Sequence, residues 1–276
     1  MKSKRYVRPN GYKHGCGGKR CFSFLHGLLI AAACSLISLD AIAAPDEIQV
    51  YTDEMNEPGE YGVELHINYV VEGAKEPAYE GESPSHHMLQ LTPEFSYGID
   101  KNWEAGLYLP VAREEGGSWY GNGLRLRMKY MSDREAGTSM FWGINTEVGY
   151  SNLRVSESEW GMELRPIIGY RTEDWLLSFN PILNMDLSNN LSRQPHFEPA
   201  LKVARKVAEG VHAGFEYYGE YGFVNDLLPA QERTHYLYAV VDIEKRDFDI
   251  NFGVGRGNSN AADTWVLKAI VAFPFK

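Results

Sequence analysis

After position 34 the 276-residue chain contains no cysteine: Cys16, Cys21 and Cys34 are the full set. Nothing downstream can rest on a disulfide framework, a cysteine-based metal site or a thiol nucleophile. Basic residues are also scarce. Seven of the 27 Lys and Arg, but only one of the 37 Asp and Glu, lie in the first 43 residues, which leaves the remainder with 20 basic against 36 acidic residues, a net charge of −16. Phosphate recognition needs clustered Lys and Arg, so nucleic acid is excluded as a partner. Beyond residue 43 no apolar run approaches the length of a membrane-spanning helix. Helical periodicity is missing too. Only Glu198–Gly210 imitates it, and Pro199 together with the parity of its neighbours argues for a strand.

The first 43 residues have a different texture. Lys2, Lys4, Arg5, Arg8, Lys13, Lys19 and Arg20 precede the apolar run Phe22–Leu39, which ends in the small residues Ala41–Ala43. That order is the pattern of a secretory signal peptide, with cleavage before Ala44. The expected organisation is a signal peptide over 1–43, an acidic lead-in over 44–58 (APDEIQVYTDEMNEP) and one β-domain over 59–276.

What fills the β-domain is alternation. In YGVELHINYVV (Tyr61–Val71) every second residue is apolar or aromatic, and only Val70 breaks the rule. Side chains on a strand point alternately to opposite faces, so the stretch has one oily and one polar face. Twelve such stretches run to Trp265–Phe275, separated alternately by tight polar turns (DKN, RTED, AEG, EKRD) and by longer Gly- and Ser-rich loops. THYLYAVVDI (Thr234–Ile243) is apolar on both parities, and its faces cannot be assigned. The pattern predicts an all-β fold, a closed up-and-down antiparallel transmembrane barrel of about 12 strands in the outer membrane of a Gram-negative cell. Aromatics at strand ends on the oily parity, Tyr97, Trp103, Trp160, Tyr170, Trp175 and Trp265, match the two girdles at the headgroups. Pro93, Pro166, Pro181 and Pro199 fall inside strands, where a residue without an N–H implies bulges or bends.

The lead-in with its following strand (DEIQVYTDEMNEPGEYGVELHINYV), the hairpin EFSYGIDKNWEAGLYLP and the C-terminal WVLKAIVAFPF together resemble a family of Gram-negative outer-membrane barrels, loosely similar to proteins labelled as components of a phenol-degradation (MetA) pathway. The resemblance implies a membrane barrel surrounded by lipid and lipopolysaccharide and inserted by the outer-membrane assembly machinery. That machinery reads a terminal aromatic, a place filled here by Phe275 ahead of Lys276.

The polar parity supplies the candidate lumen: Glu64, His66, Glu94, Arg125, Arg127, Lys129, Glu147, Glu163, Arg165, His212 and Glu216. Arg125, Arg127 and Lys129 form a basic ladder that Glu147 and Glu163, with Arg165, can face. Facing charges either set a transverse field in a narrow path for a small solute or pair off and plug the lumen. Twelve strands lie between the eight that side chains fill and the 16–18 that leave a water channel. Three functions follow: a narrow pore or facilitator, a structural or surface barrel with a plugged lumen, and a membrane hydrolase using His66, His212 and Ser178. No spacing ties those three residues into a catalytic set, so no enzyme activity is expected. No cofactor or metal is expected either. Two adjacent histidines rarely both reach one ion, and loop polarity accounts for His86 and His87.

Overall fold

The computed structural model describes residues 46–133, 137–188, 192–259 and 262–275; the proposed signal peptide lies outside them. The alternating stretches form one antiparallel sheet that closes on itself. Its strands are β1 (Tyr61–Glu72), β2 (Leu89–Gly98), β3 (Trp103–Tyr108), β4 (Val111–Arg113), β5 (Tyr120–Gly121), β6 (Gly123–Met131), β7 (Met140–Ser151), β8 (Trp160–Arg171), β9 (Trp175–Asp186) and β10 (His196–Ala208), then β11 (Val211–Glu220), β12 (Gly222–Phe223), β13 (Asp226–Leu227), β14 (Thr234–Glu244), β15 (Asp249–Gly257) and β16 (Trp265–Phe275). Among the described residues there is no helix.

The wall has twelve staves. Pro110 interrupts one, so that β3 and β4 both pair with β2; Asn122 interrupts the next, between β5 and β6. Closure comes from β1, which pairs with β2 on one side and β16 on the other. Tyr61 lies opposite Phe275, so both ends of the wall reach the rim that also carries the tight turns. By the habit of such barrels that rim is periplasmic, and the long loops are external. The small β12–β13 hairpin stands off the wall beside β10.

The oily parity faces outward. Leu126 (55% exposed), Trp142 (57%) and Phe215 (59%) belong to a belt that also includes Phe95, Phe179, Leu201, Leu237 and Phe252. A continuous apolar belt around the whole wall cannot rest in water and marks a lipid surface. All six expected girdle aromatics are exposed on that face. They are joined by neighbours: Trp103 and Tyr130 have ring centroids 5.0 Å apart, Tyr61 and Tyr97 4.8 Å, and Tyr150 and Trp160 5.7 Å.

The expected proline bulges are not found. Pro93 stays opposite Leu65, Pro166 opposite Ile144, and Pro199 opposite Pro181. Between β8 and β9 pairing lapses only from Leu164–Leu183 to Ile168–Phe179, with the same register on both sides. Each antiparallel residue aims its N–H at one neighbour only, so a proline loses a bond on one side and remains paired on the other. The register shifts lie elsewhere, at Val71 and Val207 near strand ends. The unassigned stretch is also settled: Tyr236, Tyr238 and Val240 point inward, and Leu237 faces out.

Replacing outward Leu126 with Arg will lower the stability of the barrel refolded in lipid vesicles by about 2–4 kcal/mol, the cost of a cation held against hydrocarbon. Urea titration of the two proteins measures it. A change within about 0.5 kcal/mol, as at a water-exposed surface, would mean that water, not lipid, bathes this face.

Candidate functional site: the lumen and its N-terminal occupant

The polar parity makes an interior that the chain's own lead-in occupies. Glu47, Ile48, Val50, Tyr51 and Thr52 are buried, though they belong to no strand. From Asp46 the segment descends past the wall to Gly59, whose N–H bonds the Gly98 carbonyl at the tight-turn rim. It passes so close to Gly98 that a Cβ there would lie 2.3 Å from the Glu57 carbonyl oxygen.

A peptide inside a barrel has no ladder to join, and its buried backbone groups still require partners. Wall side chains provide them. Asn180 does so twice: its Oδ1 accepts from Tyr51 N–H (2.7 Å) and its Nδ2 donates to Tyr51 C=O (3.1 Å), where Ser178 Oγ also donates (2.6 Å). Asn68 and Thr92 both donate to the Asp46 carbonyl at 3.0 Å. Lys268 donates to Ile48 C=O (2.9 Å), Arg165 to Gln49 C=O (3.2 Å) and Lys129 to Glu54 C=O (2.6 Å).

Charge and packing add to this. Arg125 pairs with Asp46 (2.9 Å), Arg165 with Glu47 (3.5 Å), and Arg171 with Asp53 (2.8 Å) and Glu54 (2.7 Å). Tyr51 is the central anchor. Its hydroxyl meets that of Tyr108 (2.5 Å) and donates to Glu147 (3.2 Å), and the Arg165 guanidinium lies 4.2 Å from its ring centre. Ile48 sits in an apolar seat of Val70, Tyr236, Tyr238, Val240 and Val266, and Val50 packs on Ile182 and Ala200.

The eleven candidate lumen residues all lie inside, buried or half-buried. The basic ladder meets the facing carboxylates only in part: Arg125 lies 3.9 Å from Glu147, while Lys129 donates to the segment. Arg127 turns to Glu94 and Glu104 instead, and His66 also meets Glu94, at 3.3 Å. Arg165 binds Glu163 (2.6 Å) as well as the segment. Glu216 takes Lys202 (3.2 Å) and Lys268. Ser178 is spent on Tyr51, His66 on Glu94, and His212 on Glu244 (3.5 Å). No hydrogen bond joins these three among the described residues, and this geometry lends the hydrolase reading no support.

Sequence reasoning missed Glu47, Tyr51, Glu104 and Tyr108. A signal for an occupant was present: Val70, Tyr236, Tyr238, Val240 and Val266 put apolar groups on the polar parity, and each lines the seat of Ile48. Space remains on the tight-turn side, in a cavity of about 670 Å³ bordered by Glu54, Glu64, Lys129, Lys202, Asp242 and Glu244.

At the opposite rim the loops are clasped. Asp263 Oδ1 accepts from Ser85 Oγ (2.5 Å) and Ala74 N–H (3.3 Å), while Asp263 N–H donates to Tyr236 Oη (2.7 Å). Asp263 Oδ2 is buried without a partner. Burial, slightly offset by the Ser85 and Ala74 bonds, pushes the Asp263 carboxyl up from 3.8 to about 6.

No family model matches this chain, and no curated protein matches it. Solved structures do. The COG4313 outer membrane channel from Pseudomonas putida F1 superposes with a TM-score of 0.58 over 83% of this chain and 100% of its own, at 12% identity. The NanC porin gives 0.50 over 78% of this chain and 99% of its own, at 12% identity. The KdgM porin gives 0.50 over 78% and 99%, at 8% identity. The likeness to outer-membrane barrels is therefore shown at the level of fold, and the finer likeness to phenol-degradation proteins is not shown.

Burial outweighs the Ser85 and Ala74 bonds, which favour the charged carboxylate, so the folded rim is most stable with Asp263 protonated. Its contribution is complete below pH 3.8 and is lost as pH rises through about 6, a swing of about 2–3 kcal/mol by linkage. Amide exchange of residues 73–88, corrected for intrinsic rates, will be slower at pH 4.5 than at pH 7.5, and Asp263→Asn will remove the difference. Equal protection at both pH values in the unaltered protein would contradict this.

Proposed function

We propose that the protein is an outer-membrane channel for small polar solutes, closed at rest by its own N-terminal segment. The observation that carries this is the way the segment is held: by side-chain bonds and ion pairs from the wall, with no β-ladder to either neighbour. A ladder would make it a permanent stave, whereas side-chain anchors release one at a time. If export cleaves the chain before Ala44, the segment is also a free end that begins two residues ahead of Asp46, and withdrawal toward the tight-turn rim needs no unfolding of the wall.

Charge narrows the solute class. Residues 46–57 carry five carboxylates (Asp46, Glu47, Asp53, Glu54, Glu57) and no basic side chain. Their departure takes acidic partners from Arg125 and Arg165 and both from Arg171, shifts the lumen toward positive potential and favours anionic solutes. The cavity on the tight-turn side is then the start of the path. Lipid and lipopolysaccharide surround the apolar belt in this reading, and the wall is inserted by the outer-membrane assembly machinery.

A permanently plugged structural barrel is the competing reading, favoured by the burial of Ile48, Val50 and Tyr51. Planar-bilayer recording separates the two. The mature protein will show rare, brief openings. A variant lacking residues 46–56 will conduct continuously, with a reversal potential in a KCl gradient that indicates anion preference. A deletion variant that keeps its heat-modifiable barrel and passes no current would overturn the channel reading; cation preference would overturn only the solute class.

A further inference from the structure

Adjacent side chains on extended backbone point to opposite sides, which is why two neighbouring histidines seldom serve one ion. His87 escapes that geometry. Its φ is +59°, in the left-handed region, and it is the only non-glycine residue with a positive φ among those described. The turn brings its ring over that of His86, with centroids 3.9 Å apart and planes inclined by 22°. Across the rim, in the loop between β4 and β5, Glu115 Oε1 lies 2.9 Å from His87 Nδ1. One nitrogen of each histidine and one Glu115 oxygen all lie within 4.8 Å of one another.

We propose that His86, His87 and Glu115 form a binding site for a divalent transition-metal ion of the zinc, nickel or copper class on the long-loop rim. Two imidazoles and one carboxylate are the donor set such ions prefer, whereas calcium and magnesium select oxygen-only shells. The backbone around the histidines is fixed before any ion arrives: His86 N–H bonds Ala74 C=O (2.9 Å), Met88 N–H bonds Ser85 C=O (2.9 Å), and Ser85 is tied to Asp263. His87 and Glu115 have side chains 37% and 64% exposed, so an ion can reach them. A cavity of about 340 Å³ beside them, bordered by Lys75, Pro84, His86, Glu114 and Glu115, has room for the ion's remaining water ligands.

A solvent-exposed histidine–carboxylate pair alone contributes little. It does little to offset the left-handed backbone at His87, a conformation uncommon for a non-glycine residue. An ion at this place would supply the difference. It would also staple the β1–β2 loop to the loop that carries Glu115, and so would narrow the mouth from outside. The site is independent of the channel reading, since it involves no lumen residue.

The test uses the tag-free mature barrel refolded in detergent, titrated calorimetrically with zinc chloride and followed in parallel by tryptophan fluorescence, because Trp119 lies in the same loop as Glu115. The expected result is one saturable site of micromolar affinity. His86→Ala and Glu115→Gln will each weaken it roughly tenfold or more, a loss at least as large as second-shell changes produce. His87→Asn removes the imidazole yet tolerates the left-handed backbone, so it will lose zinc with the loop fold intact. Absence of saturable binding, or binding unchanged in all three variants, would overturn the proposal.

Discussion

Every backbone N–H and C=O shielded from water must find a partner, and this molecule meets that demand twice by different means. In the wall it closes the sheet: β1 joins β16, no edge is left, and the outer face is free to be apolar against lipid. Inside the wall the same demand falls on the N-terminal segment. No strand is available to it, so Asn68, Thr92, Arg165, Ser178, Asn180 and Lys268 answer its carbonyls and the Tyr51 N–H. The polar parity of the strands is therefore a receptor for a peptide as much as a lining for water.

This explains why the wall was legible in the sequence and its contents were not. Alternation depends on a periodicity of two and on contact with lipid, both local to each strand. Even Val70, the single irregularity of the first strand, and the two-sided apolar stretch around Tyr236 and Tyr238 were visible as exceptions. Their meaning was not visible, because it depends on Ile48, far away in sequence, coming to rest on them. The same holds for the charges. Arg127 sits on β6 directly opposite Glu147 yet bonds Glu94 and Glu104 across its other neighbours, and register alone does not choose among partners within reach. The prolines misled for the opposite reason: the general rule against proline in a ladder was applied to both neighbours of a strand, when only one is affected.

The two rims divide the labour. At the tight-turn rim the occupant joins β1 next to a cavity and a ring of mixed charge. At the other rim Asp263, Ser85 and Ala74 hold loops together, and Arg154 ties the β7–β8 loop to the first long loop through its carbonyl and Ser83 N–H. A solute would meet loop geometry from outside and segment chemistry from within. The acidic character of the segment and the basic character of its anchors are two halves of one arrangement, and removing either changes the field in the lumen.

The central claim is that residues 46–57 rest inside the membrane-inserted barrel. Because no cysteine follows Cys34, the claim can be read chemically. Ile48→Cys combined with Val266→Cys places two thiols within one packed cluster. In outer-membrane preparations, mild oxidation will join them in most molecules, and the linked protein will migrate differently from its reduced form. A heat-modifiable, correctly inserted double variant whose thiols remain unlinked and react freely with a water-soluble maleimide would show that the segment lies elsewhere.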